Sequence, residues 1–144
     1  MMSGIKAKNT KPEITIRKAL YALGFRYRLH AANVPGKPDL VLPLYKAAIF
    51  VNGCFWHGHD CPLFRLPETR RAFWDAKISR NRQRDAEVRT MLALSGWRHL
   101  TIWECAFRGR GKIGFPATIE RAAAWLRSTD PVGEIRASLS PEAP

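Results

Sequence analysis

Residues 46–61, "KAAIFVNGCFWHGHDC", join an apolar strand to a loop that is rich in metal-binding side chains. The first seven residues are apolar on both faces, which is typical of a central strand in a sheet covered on both sides. The remaining residues hold two of the chain's three cysteines, two of its four histidines and two adjacent aromatic rings. The stretch therefore predicts a covered sheet with a metal-held loop at the end of one strand.

Helical and strand patterns alternate along the rest of the chain. They predict helices over 9–24, 68–95 (broken near 78–79) and 116–127, and strands over 25–30, 39–42, 46–52 and 97–104. The order α-β-β-β-α-β-α predicts an α/β fold with a mixed central sheet and helices on both faces. We expect one domain over residues 1–129 and a disordered C-terminal tail over 130–144, where Pro and Ser accumulate.

The charge of the chain predicts a polyanionic partner. Lys and Arg number 24 against 12 Asp and Glu, which gives a formal net charge of +12. Such an excess points to nucleic acid. The sequence contains no run of about 18 apolar residues, so we expect no membrane span. The first residues show no apolar targeting segment. We therefore expect a cytoplasmic, nucleoid-associated protein, in which cysteines favour metal ligation over disulfides.

The cysteines and one histidine predict a metal site. Cys54, His59 and Cys61 have the spacing C-x4-H-x-C, and Cys105 lies at the far end of a predicted strand. Three thiolates and one imidazole suit tetrahedral zinc, and four protein ligands leave no position for water, so the zinc would be structural. Two alternatives stay open. Cys105 could be a buried core thiol, and His57 could replace His59 as the ligand.

A second group of polar residues predicts a magnesium site. Asp39 opens one strand, and the next strand ends at Asn52. A hairpin between these strands would place Asp39 opposite Phe50, near the carbonyl of Val51 and the side chain of Asn52. Such an oxygen cluster suits Mg²⁺, which phosphodiester cleavage needs to neutralise charge and activate water. His57 could then act as the general base.

Glu13 and Asp85 are further candidate carboxylates, and each candidate also has a structural interpretation. Glu13 stands three residues after Thr10, as in a capping box. Asp85 lies in the charged stretch "SRNRQRDAEVR", where a solvated helix face is the usual explanation. Asp39 follows "PGKP" and could be a turn residue.

Four stretches together resemble the very-short-patch-repair (Vsr) mismatch endonucleases: "VPGKPDLVLP", "IFVNGCFWHGHDCPLF", "FWDAKISRNRQRD" and "GWRHLTIWECAFRG". The resemblance spans roughly residues 2–126, with the motifs in the same order. It implies a variant of the restriction-endonuclease fold that nicks double-stranded DNA 5′ to the thymine of a T:G mismatch, with catalytic Mg²⁺ and structural zinc. It also implies a monomer that is linked to a cytosine-5 DNA methyltransferase and to downstream repair proteins.

The resemblance implies a catalytic role for five residues. Asp39 matches the metal-binding aspartate, and Val51 matches the residue whose backbone carbonyl binds the metal. His57 matches the catalytic histidine. Glu13 matches a glutamate of the catalytic site, and Asp85 matches a carboxylate that holds metal-bound water.

The resemblance also implies the groups that bind zinc and DNA. Phe55 and Trp56 match aromatic rings that wedge into the duplex beside the mismatch, and Met2 falls where a third intercalating residue sits. One position departs from the family: this chain has "NGCFW" where "HGCFW" is typical, so Asn52 replaces a second active-site histidine. Asn can bind metal but does not donate a proton near pH 7. The implied zinc ligands are Cys54, His59, Cys61 and Cys105.

These observations favour a mismatch-nicking endonuclease and leave two competing hypotheses. One is a restriction-like or transposon-associated nuclease of the same fold. The other is a zinc-stabilised DNA-binding module with weak catalysis because of Asn52.

Overall fold

The computed structural model describes residues 10–138, which form an α/β unit of three α-helices and five strands in this part of the chain. In chain order the elements are α1 Lys11–Ala22, β1 Arg28–Leu29, β2 Leu40–Leu42, β3 Ala47–Asn52, α2 Arg71–Leu94, β4 Arg98–Trp103, α3 Gly114–Arg127 and β5 Val132–Ile135. The predicted order is confirmed as far as α3, and one strand follows it.

The five strands form one sheet, and the prediction that this sheet is mixed is confirmed. Their spatial order is β1-β2-β3-β4-β5. β1 and β3 run antiparallel to β2, whereas β4 runs parallel to both β3 and β5. In the parallel pair, Asn52 at the end of β3 lies beside Trp103 at the end of β4. The loops that follow these two strands therefore leave the sheet at the same edge.

Helices cover both faces of the sheet, which explains why the strands are apolar on both sides. Successive strand residues point to opposite faces. Leu40 and Leu42 therefore face α1 and α3, whereas Val41 between them faces α2. Each large apolar side chain that is buried in this way contributes about 1.5–3 kcal/mol. The buried side chains form one hydrophobic cluster on each face of the sheet. The cluster on the face of α1 and α3 includes Ile16, Leu20, Ile49, Leu100, Ile102 and Leu126, and the cluster on the face of α2 includes Val34, Ala48 and Leu92.

Two predicted elements differ from the structure in extent. α2 is continuous over 24 residues, so the predicted break near Ile78 is wrong. Its sequence contains neither Gly nor Pro, and Ile78 is buried, so no residue forces an interruption. The strand predicted over 25–30 is limited to Arg28–Leu29, because His30 adopts a left-handed backbone conformation that ends the pairing. None of the described helices combines the length and apolarity needed to cross a membrane.

The prediction of a disordered tail is wrong for residues 130–138. Val132–Ile135 form β5, which pairs in parallel with β4, and Ile135 and Ala137 are buried. The backbone ladder and this burial offset the ordering entropy of a short segment that has little apolar pattern of its own. Residues 139–144 lie outside the described part of the chain.

Candidate active site and metal centre

Three cysteines and one histidine meet at the edge where β3 and β4 end. Cys54, His59 and Cys61 lie in the loop after β3, and Cys105 lies in the turn after β4. Their donor atoms all lie within 4.8 Å of one another. His59 Nδ1 is 3.5 Å from Cys54 Sγ and 3.6 Å from Cys105 Sγ. The four side chains can therefore hold one metal ion, and His59, not His57, is the histidine of this group.

The ring of His59 is held in place by residues of β4 and β5. Trp103 stacks on it, with ring centroids 3.8 Å apart and an interplanar angle of 5°. Trp103 Nε1 donates a hydrogen bond of 2.7 Å to Glu134 Oε2, and the same oxygen lies 3.7 Å from His59 Nε2. At 3.7 Å this carboxylate is too far to accept a hydrogen bond from Nε2, but it places a negative charge beside that nitrogen. β5 therefore contributes to the surroundings of the Cys/His cluster.

Burial sets the protonation of these groups in the absence of a cation. It raises the pKa of the Cys54 and Cys105 thiols and lowers the pKa of His59. All three shifts favour the neutral side chain, whereas a bound cation favours thiolates because it compensates their charge. Three sulfurs and one nitrogen, largely closed to solvent, suit a soft or borderline ion.

A cleft of about 1210 Å³ lies beside the Cys/His cluster, and Asp39 lies in its wall. Leu40 pairs with Ile49, so the same register sets Asp39 opposite Phe50, which confirms the hairpin prediction. Asp39 Oδ2 accepts a hydrogen bond of 2.6 Å from the backbone N–H of Val51. The carboxylate is therefore fixed at the start of β2, facing the end of β3.

The surroundings of Asp39 disfavour its ionised form. Burial raises its pKa to about 6 against the opposing hydrogen bond from Val51, and the nearby charge of Glu13 raises it as well. A positive charge on His57 has the opposite effect. A buried carboxylate that faces a second carboxylate is stabilised by a cation between them.

Glu13 and His30 both lie close to Asp39, and the sequence pattern did not predict His30 as a site residue. Thr10 Oγ1 accepts a hydrogen bond of 3.3 Å from Glu13 N, so the helix cap is real. The carboxylate of Glu13 is nevertheless buried, and its Oε2 lies 3.2 Å from His30 Nε2 and 3.4 Å from Arg17 Nη1. The donor atoms of Glu13, His30 and Asp39 all lie within 4.8 Å of one another. A capping role alone therefore does not account for the buried carboxylate of Glu13.

His57 and Asp85 form a pair on another part of the cleft wall. His57 Nδ1 lies 2.6 Å from Asp85 Oδ2, and both side chains are about one quarter exposed, at 27% and 25%. Because a carboxylate accepts the proton on Nδ1, the other nitrogen, Nε2, is left as a base. The family resemblance implies that Asp85 holds metal-bound water, and the structure places its carboxylate against His57.

Helix α2 holds the loop that carries His57. Asn81 donates a hydrogen bond of 2.8 Å to the carbonyl of Trp56, and Arg82 donates two to the carbonyl of Gly58. Gly58 has φ +58°, and a Cβ there would lie 2.4 Å from Arg82 Nε, so this close approach requires glycine. The loop is therefore fastened by α2 in addition to the Cys/His cluster.

The aromatic residues of the loop belong to a larger aromatic group. Phe55 and Trp56 are half-buried, and each ring contacts the other at a centroid distance of 5.0 Å. Trp74 of α2 contacts both, at 5.6 Å and 5.8 Å, and Phe64 and Phe73 extend the group. Trp56, Phe73 and Trp74 line the cleft. Trp74 was not predicted as a site residue, although "FW" in a charged helical segment was a visible signal.

Of the two remaining predicted residues, Asn52 lies in the cleft and Met2 lies outside the described part of the chain. Asn52 ends β3 and lines the cleft beside Val51, so its amide is available to a ligand there. Met2 lies outside the described residues, and its expected role in DNA intercalation stays a prediction. His30, in contrast, carried no motif, because a histidine at the end of a two-residue edge strand has no spacing that singles it out.

Comparison with known proteins assigns the chain to a family. The family model described as DNA mismatch endonuclease Vsr matches residues 1–63. The DNA mismatch endonuclease Vsr of Escherichia coli is 42% identical over 125 residues, which cover 87% of this chain and 80% of that protein. This chain belongs to the Vsr family. The type II nicking enzyme V.XorIIP of Xanthomonas oryzae is 42% identical over 113 residues, or 78% of this chain and 83% of that protein.

Membership of the Vsr family agrees with where the site residues lie. The region matched by the Vsr model includes Glu13, Asp39, His57 and three of the four metal-binding side chains. The alignments with individual Vsr relatives extend well beyond it, over 113 and 125 residues. The type II nicking enzyme V.NmeAIP of Neisseria meningitidis gives a similar alignment, 41% identical over 76% of this chain and 79% of that protein.

Proposed function

We propose that this Vsr-family chain is a Mg²⁺-dependent DNA endonuclease that nicks double-stranded DNA 5′ to the thymine of a T:G mismatch. The observation that carries the proposal is the cleft in which the anchored carboxylate of Asp39 and the His57–Asp85 pair lie together. Family membership supplies the reaction class, since its named relatives are mismatch endonucleases and nicking enzymes. A restriction-endonuclease-like fold is part of the same proposal and fits the mixed, helix-covered sheet.

Asp39 is the proposed holder of Mg²⁺, with the carbonyl of Val51 as its neighbour. Oxygen donors at the edge of an open cleft suit this ion, so the residues fit it. When bound, Mg²⁺ neutralises charge on the phosphate and lowers the barrier to attack by water. Asn52 lies in the same wall and can donate a hydrogen bond to a phosphate oxygen.

His57 is the proposed general base. Its Nε2 accepts the proton of the attacking water, and Asp85 stabilises the imidazolium through the hydrogen bond to Nδ1. Asn52 has no titratable proton near pH 7, so we assign the proton transfer to His57 alone.

The aromatic group is the proposed reader of the mismatch. Phe55 and Trp56 enter the base stack, which costs a few kcal/mol and least at a mismatched pair. Structural zinc on Cys54, His59, Cys61 and Cys105 would keep the loop rigid. The loop would then lose little conformational entropy when DNA binds. His57 follows Trp56 directly, so recognition and cleavage are coupled through one loop.

The proposed partners follow from the charge and the chemistry. A net charge of +12 favours the DNA backbone, and we propose that the protein acts as a monomer near the nucleoid. T:G mismatches arise by deamination of 5-methylcytosine, so a cytosine-5 DNA methyltransferase and downstream repair proteins would act on the same sites.

Nicking of defined duplexes tests the proposal. Four duplexes that differ only at one base pair, T:G, T:A, C:G and T:C, are labelled on either strand and incubated with zinc-loaded protein and Mg²⁺. We expect one nick, 5′ to the thymine, in the T:G duplex only. Equal cleavage of all four duplexes would indicate a different nuclease of this fold, and binding of DNA without cleavage would indicate a DNA-binding module.

A further inference from the structure

Glu13, His30 and Asp39 meet from three different parts of the chain, and His30 and Asp39 line the cleft. Glu13 comes from the first turn of α1, His30 follows β1, and Asp39 precedes β2. Donor atoms within 4.8 Å of one another fit one shared ion, because ligand bonds of about 2.1–2.4 Å keep ligand pairs no farther apart than that. We propose that His30 is a nitrogen ligand of the cation at Asp39, and that this site therefore binds Mn²⁺ more tightly than Mg²⁺.

The backbone directs His30 into the cleft. His30 N donates a hydrogen bond of 3.4 Å to the carbonyl of Asp39, which ties the two residues across the antiparallel pair. His30 has φ +49°, a left-handed conformation that is uncommon for a residue with a Cβ and that occurs often at functional sites. Its side chain is only 18% exposed, and its Nε2 lies 3.2 Å from Glu13 Oε2. The imidazole is therefore ordered beside both carboxylates.

The charge of the group favours a cation. The side chain of Glu13 is 2% exposed, and its Oε2 and the Asp39 carboxylate belong to the same cluster. Two carboxylates at this separation repel each other in a poorly hydrated site, an effect that the ion pair between Glu13 and Arg17 offsets in part. A divalent ion between them relieves the repulsion, and the open cleft gives it a path from solvent.

The donor set decides which ion is preferred. Mg²⁺ takes oxygen ligands and keeps several waters, so an imidazole adds little to its binding. First-row transition ions bind imidazole nitrogen, and Mn²⁺ is the one among them that also favours carboxylates. Two carboxylates and one imidazole therefore select Mn²⁺ over Mg²⁺. This inference rests on the proposed function in that Asp39 is taken as the metal carboxylate.

Mn²⁺ binding to zinc-loaded, DNA-free protein tests the inference, with electron paramagnetic resonance as the readout. Free Mn²⁺ is measured in a titration, and pulsed measurements detect a coupled ¹⁴N nucleus on the bound ion. We expect one bound Mn²⁺ with one imidazole coupling. In His30→Gln the coupling should vanish and Mn²⁺ affinity should fall about tenfold or more, because even the loss of groups around a ligand costs that much. Mg²⁺ affinity, measured by competition, should change less.

Three matched variants make the outcome decisive. His57→Gln removes the neighbouring loop histidine and should keep the ¹⁴N coupling, whereas Asp39→Asn should abolish Mn²⁺ binding. Zinc content and circular dichroism confirm that each variant is folded. A coupling that persists in His30→Gln, or that disappears in His57→Gln, would overturn the inference and leave the proposed nuclease intact. Unchanged Mn²⁺ binding and T:G nicking in Asp39→Asn would instead overturn the proposed function.

Discussion

The cysteine cluster and the carboxylate cluster occupy neighbouring parts of the same sheet edge and have opposite character. The cysteine cluster of Cys54, His59, Cys61 and Cys105 is largely buried and offers sulfur and nitrogen. The carboxylate cluster of Glu13, His30 and Asp39 opens onto the cleft and offers mainly oxygen. A closed site with four protein ligands leaves no position for a reacting group, whereas an open one does. The cysteine cluster is therefore suited to shaping the loop, and the carboxylate cluster is suited to acting on a substrate.

The loop between residues 54 and 61 contributes one histidine to the cysteine cluster and one to the cleft. One of its histidines, His59, lies in the cysteine cluster, and the other, His57, pairs with Asp85 in the cleft. Two histidines only two residues apart therefore belong to different chemical environments. Substitutions that affect one environment and spare the other test whether this division is correct.

The largest effect is expected from the paired variants His59→Gln and His57→Gln. His59→Gln should lose bound zinc and at least about 5 kcal/mol of the free energy of unfolding, because structural zinc in small domains contributes about 10–16 kcal/mol. His57→Gln should keep one zinc per chain and a melting temperature close to that of the wild type. Elemental analysis and chemical denaturation measure both. Zinc loss from His57→Gln with retention in His59→Gln would reverse the assignment.

The next effect concerns catalysis in the cleft. His57→Gln should slow single-turnover nicking of T:G duplex about 10²–10⁴-fold, the usual contribution of a general base. Asp85→Asn should slow it as well, because the imidazolium loses its carboxylate partner. Asp75→Asn is the control, since Asp75 lies exposed on the same helix. Rates that do not distinguish Asp85→Asn from Asp75→Asn would remove Asp85 from the mechanism.

A smaller effect is expected on stability. The pKa of Asp39 is raised to about 6 from 3.8, so its ionised form is disfavoured in the folded state. Without Mg²⁺, Asp39→Asn should therefore stabilise the zinc-loaded protein at pH 8 by up to about 3 kcal/mol, at about 1.4 kcal/mol per pKa unit. The gain is complete above pH 6 and should shrink to roughly half near pH 5, since wild-type Asp39 becomes protonated. Chemical denaturation at pH 8, 6 and 5 measures this difference in the free energy of unfolding. A variant less stable than wild type at pH 8 would show that burial of the ionised Asp39 carboxylate does not destabilise the fold.

The smallest effect is expected from the aromatic group. Trp56→Ala should weaken binding to T:G duplex by about 1–3 kcal/mol, the contribution of one base–aromatic stack. Binding to fully paired duplex should weaken less, and Tyr21→Ala, an exposed ring on α1, should leave both affinities unchanged. Fluorescence anisotropy at fixed salt measures these affinities, because phosphate contacts make them strongly salt-dependent. Equal losses on both duplexes would mean that Trp56 does not read the mismatch.

Local sequence patterns correctly predicted the strands and helices with strong apolar periodicity and the grouping of the cysteines with one histidine. The strand Ala47–Asn52 and the helix Gly114–Arg127 carry strong apolar patterns, and both appear near the predicted positions. The Cys/His spacing likewise predicted a group that the structure brings together. These signals are visible because each depends on residues close together in the chain or on a rare residue type.

Contacts between distant segments were not predictable in the same way. Val132–Ile135 is ordered by pairing with β4 and by the burial of Ile135, neither of which leaves a period in the sequence. His30 joins Glu13 only because a two-residue strand and a left-handed residue turn it into the cleft. The pairing of His57 with Asp85 spans 28 residues and depends on the position of α2. Such contacts follow from the assembled fold.

In the proposed mechanism Asp39 and the His57–Asp85 pair perform the chemistry in the cleft, and the cysteine cluster only supports the loop. The most direct measurement is the single-turnover rate at which zinc-loaded Asp39→Asn nicks a T:G duplex at saturating protein and Mg²⁺. Because a catalytic metal contributes several kcal/mol, we expect a loss of about 10³-fold or more with zinc content and DNA affinity unchanged. Nicking at the wild-type rate by this folded, zinc-loaded variant would contradict these roles.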